Sequence, residues 1–147
     1  MSHDVAALAP EWFERVWNRC DKKRLHETIH PMCFGTLEGG SIKKANAFIE
    51  KRYRPFLGAF PDLHIEVITI IANENEAFVR WRAVGTYRAD TLGVEPFGDQ
   101  ATFRGITWQR YQDGKLIEGQ DSWNQNALFE ALSTRSSVSR VDLTKKH

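Results

Sequence analysis

The sequence predicts an α+β domain in which three N-terminal helices pack on one face of a strongly curved antiparallel sheet that encloses a pocket. Three observations carry this expectation. Apolar residues recur at helical spacing up to about residue 57. Four strand-like runs follow from residue 64 onward, joined by hairpin-type turns. The clearest of these runs, 77–88, alternates between apolar positions and arginines, so one face of the sheet must be covered.

The first helix is expected over 5–20, where Phe13, Val16, Trp17 and Cys20 share an apolar face. Pro10 is placed in its first turn, where a missing N–H costs little. A short second helix covers 21–30, with Leu25 and Ile29 on its apolar side and Pro31 as its stop. Residues 33–37 form a short strand ended by Gly39-Gly40. Ser41 is read as the N-cap of a third helix reaching about residue 57, with Ala45, Phe48, Ile49 and Tyr53 as its buried stripe.

The strands come next. Residues 64–72 are rich in β-branched side chains, and Asn73-Glu74-Asn75-Glu76 is a polar turn. In 77–88 the odd positions Val79, Trp81, Ala83, Gly85 and Tyr87 point inward, and Arg80, Arg82 and Arg88 point outward. A Gly/Pro-containing loop fills 89–99. The next strand is 101–111, Asp113-Gly114 is a hairpin signal, and 115–124 is the last strand. Gly85, Gly105 and Gly119 are expected to supply kinks or bulges that curve the sheet. One helical turn at 127–132 closes a single domain spanning 1–132. Residues 133–147 form a polar tail without periodicity.

Composition limits the function. A hydrophobic content of 41% is too high for disorder. A net charge of +1 gives no whole-molecule field for nucleic acid or an anionic membrane, so neither is expected as a partner. No apolar run approaches the roughly 18 residues that span a bilayer. The N-terminal segment lacks the pattern of a signal peptide, and a cytoplasmic location is expected. Cys20 and Cys33 are read as free, mostly buried thiols. The histidines are scattered, with His26 and His30 alone at i, i+4 spacing, so no metal site is expected. No Gly-rich phosphate loop and no nucleophile elbow is present.

Several short motifs fall in a telling order: Phe60-Pro61-Asp62-Leu63, Arg80-Trp81, Gly85-Thr86-Tyr87, Gly93 with Gly98, Phe103-Arg104-Gly105-Ile106, Asp113-Gly114-Lys115-Leu116-Ile117-Glu118, and Trp123. From about Trp12 to Leu132 the chain resembles the SnoaL-like polyketide cyclase family. The resemblance implies a cone-shaped α+β barrel like that of nuclear transport factor 2, ketosteroid isomerase and limonene epoxide hydrolase. It also implies a homodimer through the outer face of the sheet, and cyclisation by intramolecular aldol condensation without metal or cofactor. An Asp on a late strand is the family's general acid/base, and here that position is Asp121. The family's usual ending resembles Glu-x-Trp-x-x-Trp-Asp-x-x-Gly. This chain has Glu118, Gln120, Trp123, Asn124 and Ala127 there, and Tyr87 where many relatives have His.

The residues support a reading of their own. Ile117, Gly119, Asp121 and Trp123 share one strand face, the more apolar one. An Asp pointing inward there loses hydration, its pKa rises, and it can exchange protons with a carbon acid or a hydroxyl. Alternatively Asp121 pairs with an arginine or caps a turn, or the register is reversed and Gln120 and Asn124 face inward. Trp17, Trp81, Phe103, Thr107 and Trp123 are candidates to bind a small hydrophobic or aromatic carbonyl ligand, against the alternative of plain core. Tyr87, at a strand end, is expected to keep its hydroxyl available, and His30 and His64 are candidates to assist proton transfer. Arg80, Arg82, Arg104 and Arg110 belong to the outer face. If Arg104 instead faces inward beside Asp121, a water-activating Asp–Arg pair becomes possible. Two function classes remain open: a cofactor-free cyclase or isomerase, and a non-catalytic binding or protein-interaction module.

Overall fold

A computed structural model describes residues 4–37, 40–88 and 100–123. Three helices pack on a six-stranded, curved, unclosed sheet with strand order β2-β1-β6-β5-β4-β3. Helix α1 is α-helical over Val5–Glu11 and continues as a wider π-helix over Trp12–Asn18. The Asp4 carboxylate caps it by accepting from the Ala6 amide. Pro10 lies in the second turn rather than the first. It breaks the hydrogen-bond ladder just before the winding widens. Helix α2, Lys22–Thr28, is capped by Asp21, which accepts from the Arg24 amide at 2.9 Å.

The next two elements depart from expectation. Pro31 does not end a helix. It lies inside β1, Ile29–Leu37, so His30 is a strand residue. β1 pairs in parallel with β6, Lys115–Trp123, which makes the sheet mixed rather than wholly antiparallel. The pairing skips between Ile29 and Phe34. Pro31, with no N–H to give, occupies that gap. Ser41 is not an N-cap: it belongs to β2, Gly40–Lys43, opposite Thr36. Helix α3 follows, α-helical over Ala45–Phe48, π-helical over Ile49–Tyr53 and α-helical over Arg54–Ala59. No helix among the described residues is long and apolar enough to cross a membrane.

β3 (His64–Ala72), β4 (Glu76–Thr86), β5 (Gln100–Gln112) and β6 form an antiparallel meander. The β5–β6 turn uses Asp113 and Gly114 at φ 53° and 78°, the left-handed pair a tight hairpin requires. The register shifts of this meander do not fall at Gly85, Gly105 or Gly119. Ile68 is an extra residue in β3, because Val67 faces Trp81 while Thr69 faces Arg80. Ile117 is extra in β6, because Arg110 faces Glu118 while Tyr111 faces Leu116. Gly85 and Gly105 serve close approach instead. A Cβ on Gly85 would stand 3.0 Å from Phe60 Cβ, and one on Gly105 would stand 2.5 Å from Trp123 Cβ.

The core lies between the helices and the concave sheet face. Phe60, Val16 and Val79 are fully buried, each worth roughly 1.5–3 kcal/mol relative to exposure. Polar bonds fix the helices over the sheet. Asn18 makes both backbone bonds of Ile65, donating to its carbonyl (2.9 Å) and accepting from its amide (2.7 Å). The Tyr53 hydroxyl donates to the Val16 carbonyl at 2.7 Å, and burial pushes its pKa up to about 12. Cys33 is buried and Cys20 exposed, and both are free thiols. The expected loop 89–99, the turn at 127–132 and the tail 133–147 lie outside the described residues, as does Asn124.

Candidate active site

The concave face and the helices enclose a cavity of about 100 Å³. Trp12, Phe13, Trp17 and Phe48 wall it from the helices, and Trp81, Phe103 and Trp123 from the sheet. The aromatic rings touch: Trp81 and Phe103 meet edge to face at 6.1 Å between centroids, and Phe103 and Trp123 at 5.3 Å. The polar side chains in this wall include Arg52, Thr107, Gln109 and Asp121. Engineered cavities of ~150 Å³ admit benzene, so the enclosed part here takes a single small ring or a short chain, and a larger ligand must reach out of the mouth.

Asp121 reaches this wall because β6 keeps Gly119, Asp121 and Trp123 on the concave face. Gln120 is exposed on the other face, so the reversed register is not adopted. The Ile117 bulge corrects one detail, since Leu116, not Ile117, joins this lining. Asp121 stands opposite Thr107 on β5. The Thr107 hydroxyl donates to Asp121 Oδ1 at 2.7 Å and accepts from Trp81 Nε1 at 2.8 Å. An indole N–H can only donate, so the Thr107 oxygen accepts from Trp81 and its own proton is turned toward Asp121. Loss of hydration raises the Asp121 pKa; the Thr107 bond and the Arg52 guanidinium offset part of that rise.

Five of the sequence candidates, Trp17, Trp81, Phe103, Thr107 and Trp123, come together with Asp121 around the cavity. Two do not. The His30 ring is turned back on its own strand, with Nδ1 accepting from the Met32 amide at 3.0 Å, and the residue is absent from the lining. Tyr87 is fully buried, packed on Phe60 at 5.6 Å between centroids, and also outside the lining. Its place just past β4, under Phe60, removes it from solvent and cavity alike. His64 is exposed at the start of β3. Arg104 is exposed on the convex face opposite Arg82, so it forms no pair with Asp121.

The cation in the cavity wall comes from a helix instead. Arg52 is 8% exposed, with its guanidinium 5.1 Å from the centroid of the Phe56 ring. It falls between Phe48 and Phe56 at i, i+4 spacing, and that stripe was the signal for it. Gln109 was legible in the same way, two positions beyond Thr107 on the inward face of β5. Cys33 also lines the cavity; burial, and then the nearby Glu118 charge, push its pKa up to about 11, so it stays a thiol. Among the described residues, no group of three or more His, Cys, Asp or Glu could hold a metal ion.

The profile of the SnoaL-like polyketide cyclases matches residues 7–132. The chain belongs to the SnoaL-like polyketide cyclase family. AclR of Streptomyces galilaeus, provisionally named a hydroxylase, is 27% identical with a TM-score of 0.77, over 88% of this chain and 95% of that one. A provisionally named SnoaL-like polyketide cyclase of Jannaschia sp. CCS1 is 21% identical with a TM-score of 0.79, over 87% and 90%. IdmH of Streptomyces antibioticus, provisionally named a polyketide cyclase, is 20% identical with a TM-score of 0.73, over 85% and 95%. No curated protein matches the sequence significantly.

Proposed function

We propose that this SnoaL-like protein is a cofactor-free cyclase or isomerase that moves a proton at a carbonyl-activated carbon of a polyketide-like substrate. The observation that carries the reading is the carboxyl of Asp121: in an aromatic cavity, desolvated, and held through one oxygen by Thr107. With Oδ1 occupied, Oδ2 is, among the described residues, the oxygen left to a ligand. As the base, Asp121 takes the proton from the carbon next to the carbonyl. In a cyclisation, the resulting enolate carbon attacks a second carbonyl of the same molecule, and the protonated Asp121 returns its proton to the new alkoxide. A carboxyl with a raised pKa suits both halves of this cycle near neutral pH. The Arg52 charge in the same wall favours the enolate over the neutral ketone.

Hydrogen–deuterium exchange of small ketones in D₂O, followed by proton NMR, tests the reading. Wild type exchanges the α-hydrogens faster than buffer, and Asp121→Asn does not. If a panel of monocyclic and linear ketones binds but none exchanges, the domain is a ligand-binding module and the catalytic reading is lost.

A homodimer through the convex face belongs to the same proposal. Ile68, Ile71, Phe78 and Ile106 are exposed there, beside Arg80, Arg82 and Arg104. Arg82 is paired within the sheet to Glu66 at 3.2 Å, so a partner would meet the apolar rows rather than compete for this charge. Sedimentation of wild type against Phe78→Glu checks this, with the variant expected to be monomeric. Two free thiols fit a reducing, cytoplasmic setting.

A further inference from the structure

Gln109 is buried in the cavity wall, 1% exposed, and its hydrogen bonding is unfinished. Its Oε1 accepts from the Tyr111 hydroxyl at 3.0 Å. Tyr111 is itself buried, which pushes its pKa up, so its hydroxyl keeps the proton it donates. With Oε1 held by Tyr111, Nε2 has no hydrogen-bond partner among the described residues. Gly119 stands directly across from Gln109. A Cβ on Gly119 would meet the Trp108 carbonyl oxygen at an ordinary 3.6 Å, and no side chain of the described residues comes within 4 Å of that point. A buried N–H without an acceptor costs ~1–3 kcal/mol. A ligand that brings an acceptor removes that cost.

We infer that Gln109 Nε2 is the docking point for a ligand carbonyl oxygen, which restricts the substrate to ketones, esters or related acyl compounds with that oxygen at Gln109 and the adjoining carbon toward Asp121. The Thr107–Asp121 and Gln109–Gly119 rungs are neighbours on one face, ~7 Å apart along the strands. A hydrogen bond to the oxygen, the O=C–C unit and a contact to the carboxyl span that interval. When Asp121 removes the α-proton, the C–H electron pair becomes the C=C bond and charge passes to the oxygen, where the Gln109 N–H stabilises it. This last step rests on the proton-transfer reading above; the docking of the oxygen does not.

The test compares acetophenone with α-methylstyrene, the same skeleton with CH₂ in place of the oxygen. Binding is read from quenching of tryptophan fluorescence. Wild type and Asp121→Asn prefer the ketone. Gln109→Leu lowers that preference about tenfold, the equivalent of ~1.4 kcal/mol. Because Gln109→Leu strands the Tyr111 hydroxyl, the double variant Gln109→Leu/Tyr111→Phe is measured alongside and shows the same loss. An unchanged preference in whichever variant folds overturns the inference, as does failure of wild type to bind acetophenone at millimolar concentration. Exchange of the acetophenone methyl hydrogens separates the two proposals. A preference that depends on Gln109 without exchange keeps the docking point and removes the acid/base role. Exchange with an unaltered preference does the reverse.

Discussion

Among the described residues, two aspartates are hydrogen-bonded to threonines of this sheet, and their pKa values shift in opposite directions. At the end of β4, Asp62 accepts from the Thr86 amide at 2.7 Å and from the Thr86 hydroxyl at 2.8 Å. In the cavity, Asp121 accepts from the Thr107 hydroxyl at 2.7 Å. Asp62 is exposed, and the two Thr86 bonds lower its pKa. Asp121 is desolvated, and its pKa is raised despite its bond. Asp62 gains a backbone-amide bond that Asp121 lacks and keeps its hydration, and together these reverse the sign. Asp62 therefore serves as a clasp, joining the segment after α3 to β4, where Phe60 also packs on Gly85 and Tyr87. Asp121 is the carboxyl to which we assign proton transfer.

The largest expected difference is in turnover. Asp121→Asn lowers ketone exchange by at least ~100-fold, the usual contribution of a positioned acid or base. Asp62→Asn leaves it within about twofold of wild type, because it touches nothing in the cavity. A similar loss from both variants in the same NMR assay would dissolve the distinction.

Next come the glycines that close each region. Gly105→Ala drives a Cβ to 2.5 Å from Trp123 Cβ and 2.9 Å from the Ser122 carbonyl oxygen, and Gly85→Ala drives one onto Phe60. Both variants are destabilised, by about 3 and about 1.5 kcal/mol respectively in urea unfolding. Gly119→Ala, with nothing closer than 3.6 Å, unfolds within about 1 kcal/mol of wild type.

Carbon-detected NMR titration sharpens the comparison directly. Asp121 titrates above and Asp62 below the usual carboxylate value of ~3.9. Thr107→Val moves Asp121 further up, since a bond that favoured the ionised form is gone. Thr86→Val moves Asp62 up toward the ordinary value.

The smallest effects are on melting temperature, and their signs oppose. The raised folded pKa of Asp121 means the native state binds the proton more tightly than the unfolded chain. Stability on its account falls as pH rises from about 4 through the folded pKa. Asp121→Asn thus melts higher than wild type at pH 7, with the gap closing toward pH 4. For Asp62 the folded pKa is lowered, so its contribution is present above about pH 4 and is lost as pH falls through the folded value. Asp62→Asn melts lower at pH 7, by about 2 °C, and converges with wild type in acid.

The same contrast explains what could be read from the sequence. The strands from residue 64 onward were legible because alternation is a local signal; it placed Trp81 inward and put Asp121 and Trp123 together on the more apolar face of the last strand, leaving that strand's register open. Residues 33–37 were read correctly as strand, but 29–32 and 40–43 were misread because Pro31 and Ser41 look alike in a helix boundary and at a strand gap; the pairing of these segments with β6 and with each other is a long-range fact. The bulges at Ile68 and Ile117 carry no local mark, whereas of the three glycines expected to make them Gly85 and Gly105 serve close approach and Gly119 has room for a Cβ. Arg52 and Gln109 escaped notice because a polar residue on an apolar stripe resembles a surface residue until the cavity behind it is known. Tyr87 and His30 drew attention by chemical type, and neither reaches the cavity.

The parallel seam between β1 and β6 joins the first strand to the last among the described residues. While a chain emerges from the ribosome, β1 and β5 each wait with an unpaired edge until β6 arrives between them. The strand that fills this gap also carries Asp121. Completing the sheet and delivering the carboxyl are therefore one event, and a chain that stops short of β6 lacks both the seam and Asp121.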